Sequence, residues 1–135
     1  MNRNEVYKKC NKRCAYCGDK IKFKDMQVDH IIPKSNFTRI VKTQKMHPTV
    51  DLRQIPDFLG HLTVDDLNHI DNLHPSCRVC NKAKDSFHLQ LFRTELEAQV
   101  YRARMYSRNY RFALKYKQVR ETPKPIIFYF EKMKQ

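Results

Sequence analysis

Four of the five cysteines form two Cys-x-x-Cys pairs, a spacing that is typical of metal ligands. Each pair can offer two thiolates to one tetrahedral Zn²⁺, so the two pairs together would complete a closed, structural site. A thioredoxin-like redox pair or unrelated buried thiols are the alternatives, although a redox pair normally stands alone in a βαβ context. The sequence therefore predicts a structural zinc site formed by Cys14, Cys17, Cys77 and Cys80. Cys10 is left over, as a small buried residue or an exposed thiol.

An acid and a histidine stand side by side in the short apolar segment VDHIIP. Its β-branched residues predict a strand, and adjacent strand residues point to opposite faces, so Asp29 or His30 must turn toward whatever the strand packs against. An isolated pair of this kind is more often a turn cap and a satisfied core histidine. Zinc binding, however, would bring this strand near Asn81, which directly follows the second cysteine pair. The oxygens of Asp29 and Asn81 are hard ligands suited to Mg²⁺ or Mn²⁺, which leaves His30 free to act as a general base.

The segments VDHIIP, DNLHPSC and CNKAK together resemble the successive sequence blocks of the HNH endonucleases, which have the ββα-metal fold. The resemblance covers about residues 14–92 and includes the two Cys-x-x-Cys pairs common in zinc-bearing members. It implies that His30 is the general base and that Asp29 and Asn81 bind the catalytic divalent ion. It also implies that Asn72 braces the loop and the base.

The chain departs from the family pattern in two respects. Asn81 stands at the position where the family name has a histidine. Asparagine at this position is familiar among active members, and it would favour Mg²⁺ over Zn²⁺ or Ni²⁺. Residues 34–60 form a longer interval than many members have, with Pro48 and Pro56 as breakers. A loop of this length indicates a functional or partly helical insertion.

The same residues fit the hydrolysis of a phosphodiester, which needs an activated water and relief of negative charge. One divalent ion on Asp29 and Asn81 could bind a non-bridging oxygen and the 3′-oxygen leaving group, acting as Lewis acid and template. His30 would deprotonate the water on the opposite side.

The charge balance predicts a polyanionic partner. Lys and Arg number 27 against 14 Asp and Glu, a formal net charge of +13, and nucleic acid is the commonest partner of so basic a chain. A merely soluble basic protein is the alternative.

The N-terminal segment lacks the apolar core of a secretory signal, and the longest apolar run, IIFYF, is too short to span a bilayer. We therefore expect no membrane partner and a cytoplasmic location, in a bacterial or phage-infected cell, where reduced cysteines favour metal over disulfides.

Local patterns predict the elements that must position these residues. The segment NEVYKKCNK predicts a short helix capped by Asn2 or Asn4. A strand over 21–23 and a turn at 24–25 would form a hairpin with the strand in VDHIIP. The segment IIFYF predicts a final edge strand, because prolines introduce it.

A helical period begins at Leu89. Apolar residues recur at spacings that place them on one face of a helix, and residues 107–109 could divide this segment into two helices. These residues are Phe92, Leu96, Ala103, Tyr106, Tyr110 and Leu114.

Two groups of basic residues are candidates for contacts with DNA phosphates. Lys84 lies one helical turn after Asn81 and is equally compatible with a phosphate contact or a solvated position. Four further basic residues recur at spacings of three and four, which places them on one face of a helix. No acidic residue lies among them, so a contact of this face with the DNA backbone is slightly favoured over simple exposure to solvent. They are Arg104, Arg108, Arg111 and Lys115.

The remaining histidines have no spacing that predicts a second metal site. We expect only His74 to lie near the cleft, and His88 to cap the helix that begins at Leu89. The others are His47, His61 and His69.

These observations predict a single α+β domain over residues 1–135, with a ββα-metal core at about 10–92 and a basic helical extension at about 93–135. The predicted function is metal-dependent hydrolysis of DNA, with duplex DNA as partner, structural Zn²⁺ and catalytic Mg²⁺ or Mn²⁺. A zinc module that only binds nucleic acid, and a nuclease acting on RNA, are the alternatives.

Overall fold

A computed structural model describes residues 1–48 and 54–134. It is mixed: seven helices and a small antiparallel sheet of two strands lie in these two ranges. The strands are β1 (Gln27–His30) and β2 (Leu73–Ser76). The helices are α1 (Arg3–Lys9), α2 (Phe37–Met46), α3 (Arg78–Lys84), α4 (Leu89–Glu97), α5 (Gln99–Tyr106), α6 (Arg108–Lys115) and α7 (Tyr129–Lys132).

Two helix starts follow directly from side-chain caps. The side-chain oxygen of Asn2 accepts hydrogen bonds from the backbone N–H groups of Asn4 and Glu5, so Asn2 and not Asn4 caps α1. Nδ1 of His88 accepts a hydrogen bond from the backbone N–H of Leu91 at 3.2 Å, as expected for the cap of α4.

The strand that carries the DH pair does not form the predicted hairpin. β1 pairs instead with β2, and Asp29 lies opposite His74 while His30 lies opposite Leu73. The preceding residues Phe23–Asp25 form a 3₁₀ turn and not a strand. The prediction was wrong because strand pairing between distant segments is decided by burial, which local propensity does not report.

The interval after β1 is partly helical, as the sequence predicted. Helix α2 buries Phe37, Ile40 and Val41 on one face, at the spacing of a helix that packs on a core. Residues 49–53 of the predicted 34–60 insertion lie outside the described residues.

The segment IIFYF is not the predicted edge strand. Phe128 lies in the core, and α7 begins at Tyr129. The backbone N–H groups of Tyr129 and Phe130 donate to the carbonyl oxygens of Tyr16 and Ala15 at 3.0 and 2.9 Å, so this segment binds to the first cysteine turn. The C-terminal aromatic residues therefore complete the same hydrophobic core as the residues of the first cysteine turn.

The predicted apolar helical face is buried only at its start. Phe92 is buried, but neither α5 nor α6 has a buried residue, and Tyr106 is exposed. The break at 107–109 is confirmed, since Ser107 caps α6 by accepting a hydrogen bond from the N–H of Tyr110. A further break at Ala98 separates α4 from α5.

Candidate active site and metal centres

The four paired cysteines converge on one point. Their sulfur atoms all lie within 4.8 Å of one another, and the sulfurs of Cys17 and Cys77 are 3.9 Å apart. Four sulfurs bound at about 2.3 Å to a tetrahedral zinc lie about 3.8 Å from one another, so the cluster needs little rearrangement to hold the ion. The donor set is compatible with zinc and is closed to substrate.

Both cysteine turns are built by local hydrogen bonds. Gly18 closes the first by donating its N–H to the carbonyl oxygen of Cys14 at 3.0 Å, with a φ of +81° that favours glycine. In the second, Sγ of Cys77 caps α3 by accepting the N–H of Cys80 at 3.4 Å. Cys10 is buried outside the four-cysteine cluster, and burial raises the pKa of its thiol to about 11.

Asp29 lies inside the protein, 4% exposed. Its Oδ2 accepts a hydrogen bond from the hydroxyl of Tyr16, and its Oδ1 accepts one from Nζ of Lys84 at 3.3 Å. Burial raises the pKa of the Asp29 carboxyl, while Lys84 and Tyr16 act in the opposite direction. Two fixed donors therefore hold the carboxylate of Asp29, the residue that directly precedes the general-base candidate His30.

Lys84 corrects the expectation of a solvated or phosphate-contacting helix position. Its side chain is fully buried, and its ammonium donates to the carbonyl oxygens of His30 and Ile31 at 3.0 and 3.4 Å in addition to Asp29. A group with no exposure cannot meet a phosphate on the surface. Lys84 instead fastens α3 to β1 and neutralises the charge of Asp29.

His30 faces an open cleft. Its Nε2 lies 2.9 Å from Oδ1 of Asn68. Because an amide oxygen only accepts hydrogen bonds, this contact places the imidazole proton on Nε2 and leaves the lone pair on Nδ1. The cleft has a volume of about 270 Å³ and is lined by His30, Pro33, Lys34, Ser35, Asp85 and Ser86.

Asn72 is fully buried and braces the loop that follows β1. Its Oδ1 accepts the N–H of Ile32 at 2.8 Å, and its Nδ2 donates to the carbonyl oxygen of Leu67 at 3.0 Å. Its own carbonyl oxygen accepts the N–H of Ile31 at 2.9 Å. These contacts hold the backbone on both sides of the His30–Asn68 contact, so Asn72 braces the segment that carries His30 without contacting its ring.

Asn81 lies in α3, one turn before Lys84. Residues three apart share one face of a helix, and Lys84 fixes that face against β1. Asn81 is half-buried, whereas Asp29 has almost no exposed surface. The carboxylate and amide oxygens fit a hard divalent ion in their chemistry, and Oδ1 of Asp29 keeps one acceptor position beside its bond to Lys84.

His74 does not line the His30 cleft, although it lies opposite Asp29 in the sheet. It is buried, its ring centroid lies 4.4 Å from that of Phe130, and its Nδ1 lies 3.2 Å from the hydroxyl of Tyr16. Since the Tyr16 hydroxyl donates its one proton to Asp29, Nδ1 of His74 must be the donor in this contact. Burial holds the pKa of His74 well below its usual range.

The four predicted DNA-contacting residues lie on two helices. Arg104, on α5, forms an ion pair with Glu121, an acid that follows the basic segment. The other three line one shallow surface pocket on α6 together with Phe112, and they are Arg108, Arg111 and Lys115. These three remain the candidates for a phosphate contact.

A second group of potential metal ligands lies at the surface, although the spacing of the unpaired histidines did not predict one. His61, His69 and Asp71 each place one ligand atom within 4.8 Å of the others, at the surface. Sequence spacing missed this group because the turn that brings His61 to the other two has no cysteine or histidine motif of its own. Asn68 and Tyr16 were missed for a similar reason: a single asparagine or tyrosine carries no spacing signal.

The HNH endonuclease family model matches residues 14–43. The match includes the first cysteine pair and the DH pair, so it confirms the resemblance to this family at the first of the three sequence blocks. No curated protein and no solved structure matches the chain. The family match indicates a nuclease or nucleic-acid-related function and metal binding. None of the helices in the described ranges is long and apolar enough to cross a membrane.

Proposed function

We propose that this protein is an endonuclease that hydrolyses DNA phosphodiester bonds with His30 as general base. The observation that carries the proposal is the His30–Asn68 contact. It holds the imidazole in an open cleft with its proton on Nε2 and with Nδ1 available to take a proton from water. A module that only binds nucleic acid has no use for a histidine fixed in one tautomer beside a buried carboxylate.

His30 is the residue that moves a proton in this scheme. Its Nδ1 accepts the proton of the attacking water, a contribution of about 10²–10⁴-fold in rate. Asn68 stabilises the resulting imidazolium through Nε2–H, and Asn72 keeps the loops on either side in place. Asn68 and Asn72 are therefore positioning residues.

Asp29 and Asn81 would hold the catalytic Mg²⁺ or Mn²⁺. That ion supplies Lewis-acid stabilisation of the phosphate and of the leaving 3′-oxygen when it is bound. The chain prepares the carboxylate for this role, because Tyr16 and Lys84 fix its orientation and partly oppose the rise in its pKa that burial causes.

Duplex DNA is the proposed substrate, in the cytoplasm of a bacterial or phage-infected cell. The net charge of +13 supports a polyanion. The cluster of Arg108, Arg111 and Lys115 on α6 offers a contact to the phosphate backbone, which positions a nucleic acid without reading its sequence.

The test is the nicking of supercoiled plasmid by zinc-loaded protein, with Mg²⁺ added or omitted. His30→Ala should lower the nicking rate by about 10²-fold or more, while zinc content and DNA affinity stay at the parent level. The matched control is His47→Ala, which removes an exposed histidine outside the site.

A second variant tests the positioning role. Asn68→Ala removes one hydrogen bond and should slow nicking by up to about 10-fold, less than His30→Ala. Undiminished nicking by His30→Ala would overturn the proposed mechanism. Cleavage of an RNA duplex or single strand in preference to plasmid would overturn the assignment of DNA as substrate.

A further inference from the structure

The surface segment that precedes β2 contains a compact set of two imidazoles and one carboxylate. Nε2 of His61 lies 2.8 Å from Oδ2 of Asp71, and Nδ1 of His69 lies 3.7 Å from the same oxygen. The rings of the two histidines are edge to face, with centroids 5.9 Å apart. All three groups are reachable from solvent, with side-chain exposures of 54%, 39% and 46%.

The backbone fixes two of these residues relative to each other. The 3₁₀ turn Ile70–Asn72 begins directly after His69, and the N–H of Asp71 donates to Nδ1 of His69 at 3.1 Å. The buried side chain of Asn72 anchors the end of the same turn. His61 enters from the other side, just after the 3₁₀ turn Asp57–Leu59.

The residues near this group carry a net negative charge in sequence, which favours a cation, although the chain as a whole is basic. Residues 54–77 contain four Asp residues and no Lys or Arg. One of them, Asp66, interacts electrostatically with both His61 and His69. Lys9 approaches the turn, but its Nζ donates to the backbone carbonyl oxygen of Asp71 at 3.3 Å and not to the carboxylate.

We propose that His61, His69 and Asp71 form a second metal site, which binds a divalent transition ion such as Zn²⁺. Imidazole nitrogen and carboxylate oxygen bind Zn²⁺ at about 2.0–2.2 Å, so two such atoms in a tetrahedral site lie about 3.3–3.6 Å apart. The observed separations of 2.8 and 3.7 Å lie on either side of that range. His69 has two possible ligand atoms. If Nδ1 binds the metal, it gives up its hydrogen bond with the N–H of Asp71; if Nε2 binds the metal, that hydrogen bond is kept.

The site differs in kind from the other two metal centres. Three protein ligands leave a position for water, unlike the closed four-cysteine cluster, and two imidazoles select a softer ion than Asp29 and Asn81 do. The bound ion would close the loop from 61 to 71. This loop carries Asn68, so the ion would stabilise the segment that holds Nε2 of His30.

Zinc binding to protein without DNA tests the site. After equilibration with micromolar Zn²⁺ and removal of free ion, the parent should carry about two Zn²⁺ per chain, and His61→Ala and His69→Ala should each carry about one. The second affinity should fall by more than about 10-fold in each variant, since even the loss of an outer-shell partner costs that much. His47→Ala is the matched control and should bind as the parent does.

Thermal unfolding provides an independent readout. Added Zn²⁺ should raise the Tm of the parent and of His47→Ala beyond the effect of filling the four-cysteine site, because a ligand that binds only the folded state stabilises it. The increase should be absent in His61→Ala. One Zn²⁺ per chain in the parent, or an unchanged second site in both histidine variants, would overturn the proposal. Either result leaves the nuclease proposal untouched, because no cleavage is measured.

Discussion

The ammonium of Lys84 lies 3.2 Å from Oδ2 of Asp29, and both side chains are buried. Lys84 also donates to the carbonyl oxygen of His30, so a single cation joins α3 to the strand that carries the candidate base. The pair thus links α3, which follows the second cysteine pair, to the residues proposed for catalysis.

Loss of this cation should strongly destabilise the protein. Lys84→Met keeps much of the side-chain volume but leaves the carboxylate of Asp29 buried without its ion partner, which typically costs about 3–5 kcal/mol of unfolding free energy. The measurement is urea unfolding of the zinc-loaded protein. Lys82→Met, which alters an exposed residue of the same helix, is the control and should change stability little.

The double variant isolates the charge effect. Asp29→Asn combined with Lys84→Met leaves no unpaired charge and should be more stable than Lys84→Met alone. Equal stability of these two variants would show that lost packing, and not the ion pair, explains the effect of Lys84→Met.

Replacement of one zinc ligand should unfold the core. Cys77→Ala removes a ligand that also caps α3, so the protein should lose its zinc and its cooperative unfolding transition. Cys10→Ala changes a buried thiol outside the cluster and should keep about one zinc in that site. The readouts are elemental analysis in zinc-limited buffer and circular dichroism. Folded Cys77→Ala without zinc would contradict this prediction.

The buried His74 should make stability depend on pH. Its pKa lies well below the usual value in the folded state, while in the unfolded chain it binds a proton below about pH 6.5. The unfolded state therefore gains protons first, and stability is lost as the pH falls below about 6.5, by up to about 1.4 kcal/mol per pH unit.

His74→Gln tests this dependence, since its side chain does not titrate. Urea unfolding at pH 7.5 and pH 5.5 should show a smaller loss of stability in the variant than in the parent. Zinc release in acid affects both proteins and cancels in the comparison. Identical losses would rule out His74 as a source of the pH dependence.

The basic cluster on α6 should govern the salt dependence of DNA binding. Changing Arg108, Arg111 and Lys115 to glutamine removes three charges, and the slope of log affinity against log salt should become shallower by up to about 2.7 units. Arg104→Gln is the control, because Arg104 is already paired with Glu121 and should contribute little. A triple variant with the parent slope would show that this face is only solvated.

The sequence by itself determined the features that depend on neighbouring residues. Two Cys-x-x-Cys spacings predicted the four-cysteine cluster, because each pair spans one tight turn and needs no knowledge of the rest of the chain. The cap of α4 by His88 and the break before α6 were predicted for the same reason. The family resemblance rested on short blocks of this local kind.

Only the tertiary structure decided which distant groups meet. β1 pairs with β2 and not with its neighbour, because Val28 of β1 and Leu73 of β2 pack in one small hydrophobic cluster. The segment IIFYF has strand propensity but does not form a strand, because its backbone forms hydrogen bonds with the first cysteine turn. Lys84 became buried because Asp29 compensates its charge, and His61 met Asp71 through a turn with no motif. Each outcome depends on burial and charge pairing between segments far apart in the chain, which no local pattern encodes.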